Sequence, residues 1–230
     1  MSFNGLAQYV SYLDDHGDLT RVRCRVTPLL EITEIADRLV KSGGKALLFE
    51  DTGTAFPLLI NAFASDSRMA AAIGRRSLDD AGEEIFSLIE SVSEARSLSG
   101  KLSKLPQMMQ LLRLAPVRKR GRGECQEVVE TVPDLDILPV LKCWPHDAGR
   151  FITLPLVHTR HPETGKFNLG MYRMQVMGKD VTGMHWHRHK TGARHFEAWK
   201  KRGGRMPVTV TLGGDPVYTY AATAPLPEDM

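Results

Sequence analysis

Two runs decide the fold: Phe151-Ile152-Thr153-Leu154-Pro155-Leu156-Val157-His158-Thr159-Arg160 and Lys166-Phe167-Asn168-Leu169-Gly170-Met171-Tyr172-Arg173-Met174-Gln175-Val176-Met177. Between them stands His161-Pro162-Glu163-Thr164-Gly165. Both runs are strand-like in composition, and a short loop bearing Pro and Gly between such runs predicts a β-hairpin. Gly178-Lys179-Asp180 is a second turn signal and leads into a strand over Val181 to Arg188. Thr191 to Arg202 reads as a helix and Val208 to Leu212 as a further strand. Upstream, Glu127 to Val132 reads as a strand, and Pro133-Asp134 and Pro139 punctuate the chain after it. The stretch predicts a sheet-based α+β domain, an antiparallel sheet or partly open barrel.

The first hundred residues have a different texture. Leu6, Tyr9, Val10 and Leu13 fall at helical spacing within Gly5 to His16, with Asn4 as expected N-cap. A strand over Leu19 to Val26, a helix over Pro28 to Lys41, and short strands at Ala46 to Phe49 and Leu58 to Ala62 come next. Helices are expected at 66–74 and 80–97, the second with Ile85, Leu88, Ile89 and Val92 on one face. This predicts an α/β domain without strong chemistry. Domain boundaries are set at 1–118, which includes a basic connector with a short helix over Leu105 to Leu114, and 119–230.

Composition bounds the function. An apolar fraction of 42% is that of an ordinary globular protein. No run of eighteen apolar residues exists and Met1-Ser2-Phe3-Asn4 lacks a signal core, so cytoplasmic residence is the expectation. Cys24, Cys125 and Cys143 are too far apart for CxxC spacing and are expected as reduced, buried thiols. The net charge of +3 hides a local feature. Lys101, Lys104, Arg113, Arg118, Lys119, Arg120 and Arg122 lie in a stretch without acids. No aromatic residue interleaves them as nucleic-acid stacking requires, so a solvated connector is the better reading and no nucleic-acid partner is expected.

Chemistry concentrates between Asn168 and Lys190. His185, His187 and His189 alternate, so on an extended strand they share one face. That face suits one metal ligand, an anionic cofactor, or plain solvation; three ligands to one ion would span too far. The side-chain oxygen of Asn168 is a hard donor suited to Mg²⁺ or Mn²⁺, unless it serves a structural hydrogen bond. Arg173 lies among apolar neighbours, where a buried guanidinium calls for an anionic partner.

Five ordered segments carry a resemblance. They are Pro139 to Pro145, Gly149 to Thr153, Asn168 to Arg173, His189 to Ala193 and Ala221 to Pro227. Together they resemble the UbiD family of reversible, non-oxidative decarboxylases, weakly through the first domain and strongly from about Pro139.

The resemblance implies an N-terminal α/β domain followed by the first part of a flavin-reductase-like split β-barrel. It implies a prenylated FMN whose phosphate is held by Mn²⁺, with K⁺ nearby, and a flavin prenyltransferase as supplier of the cofactor. By position, Asn168 and His189 match the metal ligands. Thr153, Met171, Tyr172, Arg173, His185, Trp186, His187, Lys190, Thr191, Ala222, Thr223 and Pro225 match flavin contacts. Arg173 matches the arginine of an acid–arginine–acid network that holds the substrate carboxylate. The implied activity is a carboxy-lyase acting on aromatic or α,β-unsaturated acids, with a 4-hydroxybenzoate-like acid of quinone biosynthesis as leading substrate. A prenylated substrate would bring the protein to a membrane surface.

In the family the third metal ligand, the two catalytic acids and a C-terminal domain that builds a homo-oligomer come after the last matched segment. They are expected beyond Met230, in a missing C-terminal half, so the 230-residue chain alone is expected to be inactive. The alternative reading is a non-catalytic flavin- or phosphate-binding module.

Overall fold

The computed structural model describes residues 3–94 and 121–224. The expected helix at 105–114, most of the basic connector and Pro225 lie outside them. Two compact units are formed: residues up to Gly74 together with those from Pro133 onward, and Arg75–Val132.

The first unit opens with α1 (Leu6–Asp15), β1 (Leu19–Val22), α2 (Glu31–Lys41), β2 (Ala46–Phe49), β3 (Leu58–Ile60) and α3 (Asp66–Ala72). Strands β1 and β2 are parallel, β2 and β3 antiparallel. The helical spacing of α1 puts Tyr9 and Leu13 into the core with Phe3, Leu19 and Ala46. The Tyr9 hydroxyl lies 3.0 Å from the Ala62 carbonyl and 2.9 Å from that of Arg68. Burial of this large amphipathic ring therefore leaves its polar end satisfied.

Several boundaries differ from expectation: β3 ends at Ile60 rather than Ala62 and α3 at Ala72 rather than 74, and three others have a local cause. Gly5, not Asn4, is the N-cap of α1, while the Asn4 N–H donates to Gln8 Oε1 at 2.7 Å. Strand β1 stops at Val22 rather than Val26, because its partner β2 ends opposite it at Phe49. Helix α2 starts at Glu31 rather than Pro28. Leu30, at φ 72° and ψ −41°, makes a tight turn in which the Glu31 N–H reaches the Leu29 carbonyl at 3.0 Å. This is close to the rare and strained γ-turn geometry. Its surroundings fix it: the Leu30 N–H donates to the Lys142 carbonyl at 2.9 Å, and the Lys142 N–H to that of Pro28 at 3.2 Å. Leu141 alongside joins the core of Val26, Ile32, Leu47 and Phe49.

From Pro133 the unit continues with a 3-10 turn at Leu135–Ile137, capped by Asp134. The Asp136 N–H, and then the Lys179 ammonium, hold the Asp134 carboxyl below its ordinary range. Six strands and two helices complete it: β4 (Phe151–Ile152), β5 (Leu156–Arg160), β6 (Phe167–Met171), β7 (Met174–Val176), β8 (Thr182–Met184), α5 (Thr191–Lys201), β9 (Thr209–Thr211) and α6 (Pro216–Ala221). They form two antiparallel sheets, ordered β4-β7-β8 and β6-β5-β9. Helix α6, which the sequence reading missed, starts with Asp215 as cap and Pro216 at its first position.

The second unit holds α4 (Leu78–Glu94), beginning two residues before the expected helix, with Arg75 paired to Glu84 at 2.6 Å. Its expected strand at Glu127–Val132 is absent. A 3-10 turn spans Glu124–Gln126, and Val128, Val129 and Val132 are exposed, with no partner strand among the described residues. The cysteines are unpaired as expected, but Cys24 and Cys125 are exposed rather than buried.

Candidate functional site

The hairpin predicted from residues 151–177 forms, but neither arm is continuous. The register pairs Ile152 with Met174 and Leu156 with Met171, so Thr153-Leu154-Pro155 stand opposite Tyr172-Arg173. At this level both arms leave one sheet for the other. Pro155 has no N–H for the ladder and is fully buried, which breaks the first arm where it must bend. Three residues against two give the corner its bulge-like turn.

The corner aims Tyr172 inward and Arg173 outward. Tyr172 is 3% exposed, and its hydroxyl oxygen accepts the Gly192 N–H in the first turn of α5 at 2.8 Å. Its ring lies 4.9 Å from that of Trp186, which stacks at 6.1 Å on Phe196 of the same helix. Two glycines make room. A Cβ on Gly170 would come within 2.7 Å of the Tyr172 ring, and one on Gly192 within 2.6 Å of Trp186 and 2.7 Å of Tyr172. Lys190, the N-cap of α5, brings its ammonium 5.8 Å from the Tyr172 ring centre.

Asn168 sits on β6 opposite Thr159 of β5 and is half-buried. Its amide nitrogen donates to Thr159 Oγ1 and to Tyr172 Oη, both at 3.4 Å. Thr159 Oγ1 in turn lies 2.9 Å from Nδ1 of His195, which is buried on α5. A polar chain therefore runs His195–Thr159–Asn168–Tyr172–Gly192. Asn168 Oδ1 has no hydrogen bond among the described residues. An amide whose nitrogen is engaged by the protein and whose oxygen is left over fits a hard divalent cation.

Arg173 departs from expectation. It is exposed rather than buried, with its guanidinium 4.9 Å from the Phe151 ring centre. No acid among the described residues pairs with it. Its carbonyl accepts the His185 N–H at 3.0 Å, which ties the corner to the histidine run. That run is not a strand. Strand β8 stops at Met184, where its partner β7 begins, and Arg188-His189 lie in a turn closed by the Lys190 N–H on the His187 carbonyl at 2.9 Å. The successive ring centres of His185, His187 and His189 are 6.4 and 6.2 Å apart, and all three residues are exposed. Irregular backbone, not strand alternation, sets their spacing. Among the described residues no group of three or more His, Cys, Asp or Glu side chains could hold a metal ion.

The structure thus brings Asn168, Tyr172, Trp186, Lys190 and Thr191 around one corner, with Thr153 and Arg173 on its outer edge. Ala222 is buried at the end of α6, a helix that lies against β6, and exposed Thr223 follows it. Sequence reasoning missed Phe151, Thr159, Gly192 and His195. Thr159 was within reach, because the hairpin register places it opposite Asn168. A cleft of about 870 Å³ lined by His161, Arg188, Arg194, Phe196 and Lys201 shares only Trp186 with these predicted residues.

Comparison with known proteins matches the chain to a family. The profile of the 3-octaprenyl-4-hydroxybenzoate carboxy-lyase N-terminal domain covers residues 10–89, and that of the Rift-related domain of the same enzymes covers 117–230. The chain belongs to the UbiD family. An uncharacterized protein of Archaeoglobus fulgidus is 46% identical over 229 residues, 99% of this chain and 47% of that protein. Vanillic acid decarboxylase of Sedimentibacter hydroxybenzoicus in its closed form superposes with a TM-score of 0.78 at 23% identity, over 98% of this chain and 46% of that one. The UbiD-class enzyme HmfF of Pelotomaculum thermopropionicum, in complex with FMN, gives 0.74 at 22% identity, over 98% and 46%. The chain spans about half the length of the curated relatives it matches. No helix among the described residues is long and apolar enough to cross a membrane.

Proposed function

We propose that this chain supplies the metal-and-phosphate side of a prenylated-FMN site in a non-oxidative decarboxylase of aromatic or α,β-unsaturated acids. The observation that carries the reading is the Asn168 amide, nitrogen bound to Thr159 and Tyr172, oxygen left for a ligand. Asn168 and His189 would hold Mn²⁺, a hard ion that neutralises a flavin phosphate in a partly buried site. Lys190 adds a cation at the same end, K⁺ would sit nearby, and Ala222 and Thr223 would contact the flavin. The bound flavin supplies the electron sink that makes loss of CO₂ accessible.

The chain's own residues orient and neutralise. Arg173, its guanidinium over the Phe151 ring, is exposed and offers a planar fork that matches a carboxylate in two-point contact. Tyr172 and Trp186 pack together on the inner side of the same corner. A 4-hydroxybenzoate-like acid is the proposed substrate class. Proton delivery needs a carboxylic acid facing Arg173, and none of the described residues provides one, so that group must come from elsewhere. The same observation favours a second reading, a flavin-binding module without catalysis.

One experiment separates them. The 230-residue chain is incubated with prenylated FMN and Mn²⁺, desalted, and its absorbance recorded; retained flavin supports both readings, and none defeats both. Decarboxylation that appears only when the other half of a full-length relative is added supports the enzyme. Decarboxylation by the chain alone would overturn the need for an outside acid.

A further inference from the structure

Asn168 can serve a metal only if its amide is held with the oxygen outward. The oxygen and nitrogen ends of an amide have nearly the same shape, so hydrogen-bond polarity must choose between them. The two groups on its inner side are the hydroxyls of Thr159 and Tyr172, both at 3.4 Å, and a hydroxyl can either donate or accept. Tyr172 does not decide, because its oxygen accepts the Gly192 N–H and still has capacity for a second bond of either sense. Thr159 has a single proton to place. It is 2% exposed, and among the described residues its other side-chain hydrogen-bond partner is Nδ1 of His195 at 2.9 Å, itself 4% exposed.

We propose that His195 is a positioning residue for the metal ligand Asn168, acting through Thr159; the inference rests on the metal role of Asn168 proposed above. With Nδ1 unprotonated, His195 accepts the Thr159 hydroxyl proton. Thr159 Oγ1 is then an acceptor toward Asn168, which turns the amide nitrogen inward and the oxygen outward. With Nδ1 protonated, the Thr159 proton points at Asn168 instead. The amide reverses and presents Nδ2, which has no lone pair to give a cation. The T-shaped approach of His161, at 5.4 Å, and the packing of α5 hold the imidazole in place. Such outer partners set the orientation of a ligating group and its affinity.

The test uses Thr159→Val, which keeps shape and loses the hydroxyl, beside Thr159→Ser, which keeps the hydroxyl. Mn²⁺ uptake by the chain with FMN present is followed from the loss of the free-ion EPR signal. The expected result is Mn²⁺ affinity lowered by about tenfold or more in Thr159→Val and kept within about threefold in Thr159→Ser. Equal affinities in wild type and Thr159→Val overturn the inference and leave the metal site standing. No Mn²⁺ uptake by wild type defeats both. An independent readout needs no metal and no variant: ¹⁵N NMR of the His195 ring should show the proton on Nε2. A proton on Nδ1 overturns the inference even if Thr159→Val fails to fold.

Discussion

Tyr172 and Gly192 are joined by a 2.8 Å hydrogen bond in which the phenol oxygen accepts a helix N-terminal amide. Twenty residues apart, they lock a sheet corner to the first turn of α5. The first N–H groups of a helix have no partner within it, so a buried one must find an acceptor elsewhere. Here the acceptor is a side chain whose ring also forms the wall between Gly170, Gly192 and Trp186. One residue thus satisfies a helix end, fills a core position and holds Asn168.

Tyr172→Phe should leave the Gly192 N–H buried without an acceptor while keeping the ring. The expected cost is about 1–3 kcal/mol of stability. Urea denaturation of variant and wild type checks it; an unchanged midpoint would mean that water replaces the phenol.

Gly192→Ala places a carbon where two aromatic rings already stand, 2.6 and 2.7 Å away. Neither ring can withdraw without breaking the corner, so overpacking should destabilise the fold by roughly 1–3 kcal/mol. Thermal unfolding gives the comparison, with Gly203→Ala as a control at a glycine that has nothing within 4 Å but a φ of 76°. The control should lose stability from its backbone angle alone, without shifting the aromatic near-ultraviolet signal that Gly192→Ala perturbs.

Asn168→Ala removes the proposed ligand oxygen. FMN binding by this variant should no longer be strengthened by Mn²⁺, where wild type gains at least about tenfold. Flavin fluorescence titrations with and without Mn²⁺ measure it; an equal gain in the variant counts against the metal role.

Tyr9 makes a pH-dependent contribution. Burial, opposed in smaller measure by the Arg68 cation, lifts its phenol from the ordinary 10.0 to about 12. The folded value exceeds the unfolded one, so the stabilisation is complete below pH 10 and is lost as pH rises from there toward 12. The amount at stake is on the order of 2 kcal/mol. Denaturation of wild type and Tyr9→Phe across this window should show their stability difference shrinking as pH rises. A constant difference would contradict the assignment.

Leu30→Gly should stabilise the protein, because it relieves a positive φ of 72° at a leucine. Strain of about 1–3 kcal/mol is partly offset by the entropy of glycine in the unfolded chain, leaving a gain of about 1 kcal/mol. Calorimetry would show a higher unfolding temperature; a lower one would mean that the half-exposed Leu30 side chain matters more than its backbone.

Local patterns made much of this molecule legible. The 3.6-residue spacing of Leu6, Tyr9 and Leu13 predicts the buried face of α1, and the loop from His161 to Gly165 predicts the hairpin. These signals are local because helix faces and turns depend on near neighbours. The strand expected at Glu127–Val132 failed for the opposite reason: apolar residues form a strand only where another strand offers hydrogen bonds, and none among the described residues does there. The histidine run failed likewise, since β8 lost its partner at Met184.

For the candidate site, the sequence by itself determined which residue types are present, Asn168, Arg173 and His189 among them, and the family to which they belong. Only the tertiary structure decided how they are used. It turned Arg173 outward onto Phe151 and set Asn168 against Thr159 and Tyr172. It also brought His195 from a helix behind the sheet to the far end of that chain. The physical reason is that a side chain's orientation depends on hydrogen-bond partners distant in sequence, and periodicity along the chain carries no record of them.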